Sequence, residues 1–168
     1  LKVFSIFESI SGEVCRWHQG RVCTFVRFAG CNLSCPFCDQ KEALSIFSGR
    51  EMSPIDILRK VRALGHQYVI LTGGEPLIQP NMDDLTDLLG MNGFSIIIET
   101  SGSKRTNGIR FQTVNWVVDY KGPSSGASNR MCFPYHCLTK TDFIKFLIQD
   151  PEDFVFAVNK IKELRSGA

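Results

Sequence analysis

The sequence predicts an open, partial β/α barrel on a mostly parallel sheet of about five or six strands. Three observations predict it. Short β-branched or aromatic runs alternate with helical stretches of about ten residues. A length of 168 residues suits one domain, residues 1–168, and about five expected strands are too few for a closed eight-stranded barrel. The polar words GGEP, ETSG and DYKGPSSG each follow the end of an expected strand, the rim at which parallel sheets gather their sites.

Each element has a local cause. VCTFVRF (22–28) is β-branched and aromatic, hence a strand. Ser53 and Pro54 open a helix as N-cap and first-turn proline, and Gly65 stops it. YVILT (68–72) reads as a short buried strand. Asn81 opens the helix MDDLTDLLG, closed by Gly90. FSIIIET (94–100) and VNWVVDY (114–120) are strands. A loop rich in Gly, Ser and Pro precedes the strand DFIKFLI (142–148), and a helix follows from Pro151 to about Leu164.

A net charge of +2 gives no footprint for nucleic acid or a membrane surface. No apolar run reaches the ~20 residues that span a bilayer, and LKVFSIFESISGE lacks a signal-peptide pattern. A cytoplasmic protein is expected. Cys31, Cys35 and Cys38 are bunched too closely for a usual disulfide framework, and metal or cluster binding explains them better. Cys23 reads as a small core residue, and Cys15, Cys132 and Cys137 as cysteines without a special role. His18, His66 and His136 are isolated and read as surface or loop residues.

Thiolates suit zinc and iron–sulfur clusters alike. A structural zinc site is normally closed by four protein ligands, and Asp39 and His18 fit no usual spacing for the fourth. A four-iron cluster on three cysteines leaves one iron free to bind something else.

The spacing C-x3-C-x2-C with Phe37 before its last cysteine resembles the signature of the radical S-adenosylmethionine (SAM) enzymes. The fold this implies is the partial barrel of the radical SAM type. The resemblance further implies a [4Fe-4S] cluster whose open iron holds SAM, and a 5′-deoxyadenosyl radical that takes hydrogen from substrate. GGEP resembles the family's second motif, facing the amino group of SAM. Gly74 permits close approach of backbone, and Glu75 supplies negative charge or braces the turn. ETSG matches a later strand end facing the ribose and carboxylate of SAM, and Phe37 shields the cluster beside the adenine.

IFESISGE, TFVRFAGCNLSCPFCD, TGGEP and DYKGPSSG together resemble the 7-carboxy-7-deazaguanine synthase family, over nearly the whole chain. Carried over residue by residue, Cys31, Cys35 and Cys38 hold the cluster. Gly74, Ser101, Asp119, Tyr120 and Lys121 line the SAM site. Ile10, Ser11 and Gly12 match a substrate loop, Arg27 the arginine that pairs with the substrate carboxylate, and Thr72 a contact to its heterocycle. The reaction implied is ring contraction of 6-carboxy-5,6,7,8-tetrahydropterin to 7-carboxy-7-deazaguanine for queuosine and related deazapurines. The family suggests a flavodoxin-type electron donor.

Three departures stand out. Gln40 occupies the position of a family threonine that helps bind Mg²⁺, and its amide oxygen is a hard donor of the kind Mg²⁺ favours. Ser11 stands where glutamine is commoner. The family usually continues into another strand, whereas this sequence ends at Arg165-Ser166-Gly167-Ala168, which leaves three readings open: a fragment of a longer chain, a homologue with a shortened C-terminus, or a site completed in a homodimer. Two rivals remain open: an activase acting on a glycine of a partner protein, and a zinc-stapled α/β binding domain without catalysis.

Overall fold

The computed structural model describes residues 1–106 and 108–164. The last residues, Arg165 to Ala168, lie outside the described residues, and so does the expectation of a shortened C-terminus.

Among the described residues seven strands and three α-helices follow one another: β1 (Lys2–Ile10), β2 (Val22–Phe28), β3 (Arg50–Glu51), α1 (Pro54–Leu64), β4 (Tyr68–Gly73), α2 (Met82–Met91), β5 (Ser95–Thr100), β6 (Asn115–Asp119), β7 (Phe143–Lys145) and α3 (Pro151–Glu163). The strands form one open sheet in the order β3-β1-β2-β4-β5-β6-β7. From β2 to β7 every pairing is parallel. β1 runs antiparallel to both β2 and β3. The expected partial barrel is present, with seven strands rather than five or six. The additions are β1 and the two-residue β3, and the expected strand 142–148 shortens to β7.

Local chemistry explains the helix ends. Ser53 Oγ accepts from Asp56 N at 3.3 Å, and Gly65 closes α1 at φ +75°, in the left-handed region that glycine enters freely. Asp150 Oδ1 accepts from Asp153 N at 2.9 Å to cap α3. Asn81 precedes α2 as expected but makes no side-chain cap; it adopts φ +56° instead.

The sheet buries its two faces differently. One face, carrying Val26, Phe28, Val69, Leu71, Ile96, Ile98, Trp116 and Val118, packs under Ile57, Leu58 and Val61 of α1 and Leu85 and Leu89 of α2. Residues of opposite parity form the inner face of the half-barrel. Its floor is Cys23, Ile70, Ile97 and Val117, closed by Cys15 from the β1–β2 connection. His18 lies in the same connection, fully buried, with Nε2 3.1 Å from the Ser95 carbonyl and its ring edge-on to Tyr68. The surface reading of His18 is thereby corrected: its ring fills the bottom of the barrel. Burial, opposed in part by that carbonyl, lowers its pKa. Cys132 and Cys137 are exposed.

Candidate functional site

Further along the strands the inner face turns polar. Arg27 on β2, Thr72 on β4, Glu99 on β5, Asp119 on β6 and Lys145 on β7 line one cavity of about 500 Å³. Register brings them abreast, with Arg27 beside Thr72 and Asp119 beside Lys145. Cys31, Cys35, Phe37, Cys38 and Gln40 line the same cavity from the loop after β2. This volume is that of a small-molecule site.

The cysteine loop is fixed at its root. Gly30 N and Cys31 N donate to the carbonyls of Ala43 and Leu44 at 2.8 and 3.0 Å. Gly74 N donates to Phe28 O at 2.9 Å, and Glu75 N to Gly30 O at 2.8 Å. That junction requires glycine: a Cβ on Gly74 would lie 2.0 Å from the Gly30 carbonyl oxygen. Asn32 Nδ2 donates to Ser103 Oγ at 2.9 Å, which ties the loop to the end of β5.

Burial pushes the Cys31 and Cys35 thiols upward. Lys121 pulls against this at Cys35, with Asp119 adding to the rise. Metal binds thiolate, so loading such a site releases protons.

Glu75 is fully buried and does not line the cavity. Its carboxylate accepts from Thr100 Oγ1 at 2.6 Å, Ser101 N at 2.8 Å and Leu77 N at 2.9 Å, and also from Ser101 Oγ. Of its two expected roles the structure displays the brace, joining GGEP to ETSG. Ser101 and Gly74 line the cavity.

Asp119 and Lys121 project into the cavity as an ion pair. Tyr120, between them in sequence, points the other way and packs against Tyr135, Phe146 and Phe156. Its side chain is therefore outside the expected SAM site. Ile10 is exposed, Gly12 is exposed, and Ser11 is buried with its Oγ unpartnered among the described residues. None of the three lines the cavity; Glu13 does.

The Arg27 guanidinium lies over the Phe7 ring at 5.0 Å, and its buried Nε has no hydrogen-bond partner among the described residues. Gln40 donates through Nε2 to Asp39 at 3.3 Å and leaves Oε1 buried and unpartnered. Lys145 Nζ reaches Glu13 at 2.8 Å and Asp119 at 3.4 Å. Burial works to lower the Lys145 pKa, but these two carboxylates outweigh it and hold the ammonium above its usual value.

Glu13, Glu99 and Lys145 are site residues that motif reading missed. The signal available was parity: each strand residue falls two places after an inward apolar one, as Glu99 follows Ile97.

Comparison with known proteins gives concordant results. Residues 25–112 match the radical SAM superfamily. The 7-carboxy-7-deazaguanine synthase of Clostridium acetobutylicum is 36% identical over 167 residues, covering 96% of this chain and 75% of that protein. The synthase of the same name from Koribacter versatilis is 34% identical over 160 residues, covering 94% of this chain and 69% of that protein. The crystal structure of QueE from Escherichia coli superposes with a TM-score of 0.71 at 23% identity, over 99% of this chain and 80% of that one. This last likeness concerns the fold.

Proposed function

The chain belongs to the radical SAM superfamily and, within it, to the 7-carboxy-7-deazaguanine synthases, and on that premise we propose that its cavity contracts 6-carboxy-5,6,7,8-tetrahydropterin to 7-carboxy-7-deazaguanine. The observation that carries this reading is that three thiols and an under-bonded arginine line one small-molecule cavity.

The residues fit the cofactors in kind. Cys31, Cys35 and Cys38 offer a [4Fe-4S] cluster three thiolates and no fourth ligand from their own loop. Ser101, Gly74, Asp119 and Lys121 offer SAM a polar wall beside it. Bound there, cluster and SAM supply removal and return of a substrate hydrogen atom. Phe37, Leu33 and Leu44 on the same wall keep water away from that chemistry. Gln40 Oε1, buried and without a hydrogen-bond partner among the described residues, would be the oxygen donor for Mg²⁺.

Substrate orientation falls to Arg27. Its planar fork takes a carboxylate through two parallel bonds, and the reading is supported by a guanidinium whose Nε has no hydrogen-bond partner among the described residues. Phe7 beneath the guanidinium stacks on Phe25 at 5.3 Å, which holds the fork in place. Thr72, beside it, directs its hydroxyl to Glu99 and its edge to the cavity. The reading includes a flavodoxin-type electron donor, a cytoplasmic setting and a homodimer. No helix among the described residues is long and apolar enough to cross a membrane.

The test is turnover. Anaerobically reconstituted protein, given SAM, a reductant and the carboxylated tetrahydropterin, is expected to yield the deazapurine by mass spectrometry. Formation of 5′-deoxyadenosine with no deazapurine would instead favour an activase, and a colourless protein carrying stoichiometric zinc would favour a binding domain.

A further inference from the structure

Glu99 is placed where no structural need accounts for it. It sits on the inner face near the end of β5, with its carboxyl on the cavity wall. Oε2 accepts from Thr72 Oγ1 at 2.8 Å. Oε1 is buried with no partner among the described residues. Buried carboxyl oxygens are ordinarily hydrogen-bonded, because an unmade bond costs about 1–3 kcal/mol. Glu99 is itself half-buried and lines the cavity, so a carboxyl group not fully committed within the described residues sits at the cavity's edge.

Charged groups approach Glu99 from each neighbouring element. Glu13 comes from the β1–β2 connection, Asp119 from β6 and Lys145 from β7, with Cys23 on the floor. Arg27 lies beyond Thr72 on β2. Lys145, whose charge favours the Glu99 carboxylate, is already committed to Glu13 and Asp119.

The proposed reaction has a proton requirement. Substrate equals product plus ammonia, with no net oxidation. As the ring carbon–nitrogen bond breaks, its electron pair stays on nitrogen, which needs a proton to leave. As the five-membered ring becomes aromatic, a carbon–hydrogen bond gives one up. Resting on the functional reading above, we propose that Glu99 is the proton donor for loss of ammonia. Its carboxyl O–H protonates the departing nitrogen, and the carboxylate then accepts the proton released by the ring. The residue thus ends each turnover as it began.

Its environment agrees. Burial first, then Glu13 and Asp119, push the carboxyl up to about 7, against the Thr72 bond and Lys145. A donor matched to neutral pH is the effective kind.

The test is Glu99→Gln, which keeps shape and the Thr72 contact but has no acid to offer. Its kcat is expected to fall by about 10²-fold or more. KM and the transfer of deuterium from C6-labelled substrate into 5′-deoxyadenosine should stay within roughly threefold of wild type. Wild-type kcat should decline as pH rises through about 7, and the variant should lack that limb. Glu99→Asp should recover part of the loss. In protein free of cluster and SAM, a carboxylic-acid infrared band that disappears between about pH 6 and about pH 8 should be missing in Glu99→Gln. Retained kcat with the alkaline limb intact overturns the role. Equal loss of deuterium transfer and product overturns it too, since that marks a positioning residue. A wild-type protein that makes no deazapurine overturns the functional reading, and this role with it.

Discussion

Arg27 is held over the Phe7 ring, yet its Nε lacks a hydrogen-bond partner among the described residues. Arg27→Lys keeps the charge and loses the fork. Such charged bonds are worth about 1.5–3 kcal/mol, so KM for the pterin should rise roughly tenfold to a hundredfold. Cluster content and SAM cleavage without substrate should not change; unchanged KM in a titration of initial rates would contradict the carboxylate role. At Cys35 the effect should fall elsewhere: Cys35→Ala should reduce bound iron and sulfide to background, measured on anaerobically purified protein. Residues whose role comes from type and spacing, such as these two, are visible in a linear sequence. Glu99, Lys145 and Glu13 are not, because what unites them is tertiary: parallel register sets β5, β6 and β7 side by side, and the β1–β2 connection brings Glu13 to Lys145. Tyr120, just past the end of β6, turns its ring away from the cavity onto Phe146, while Asp119 and Lys121 on either side of it line the cavity.

The elements are joined at the rim by Glu75. Glu75→Ala would strand the N–H groups of Leu77 and Ser101 and the Thr100 hydroxyl. That should cost about 3 kcal/mol or more, and lower Tm by about 6–12 °C in a scanning calorimeter. A shift under about 2 °C would deny the brace its importance. Gly74→Ala should do comparable harm, since its Cβ would meet the backbone of Gly30 and not a movable side chain. The helices and central strands were legible because caps, a glycine stop and continuous β-branched runs are local signals. β1 was not. KVFSIFESI is half-buried along most of its length, and its identity as a strand comes from antiparallel pairing with β2 across a long connection. β7 is shorter than the apolar run DFIKFLI suggests, because pairing with β6 ends at Lys145.

On the scale of the whole molecule the half-barrel has a closed apolar floor and a polar, open rim, and the two respond differently to pH. His18 in the floor has a pKa below its usual 6.5. The unfolded chain therefore binds more protons there than the folded one, and stability should fall as pH drops below about 6.5. Glu99 acts in the opposite sense. Its folded pKa of about 7 is raised, so the folded protein gains relative stability as pH falls from about 7 toward the ordinary carboxylate range. Melting curves of cluster-free His18→Gln should accordingly lose sensitivity to acid, and a variant as acid-sensitive as wild type would contradict the burial of that ring. Fold class and cofactor class were both readable from motif order, since rim motifs follow strand ends; which polar side chains share the cavity required the register of the folded sheet. The central claim is that this rim brings a substrate hydrogen within reach of the SAM-derived chemistry while Arg27 holds the substrate carboxylate. Its most direct test is anaerobic turnover of C6-deuterated carboxytetrahydropterin. Deuterium recovered in SAM or 5′-deoxyadenosine together with 7-carboxy-7-deazaguanine is the predicted result. Unlabelled 5′-deoxyadenosine and unchanged substrate would contradict it.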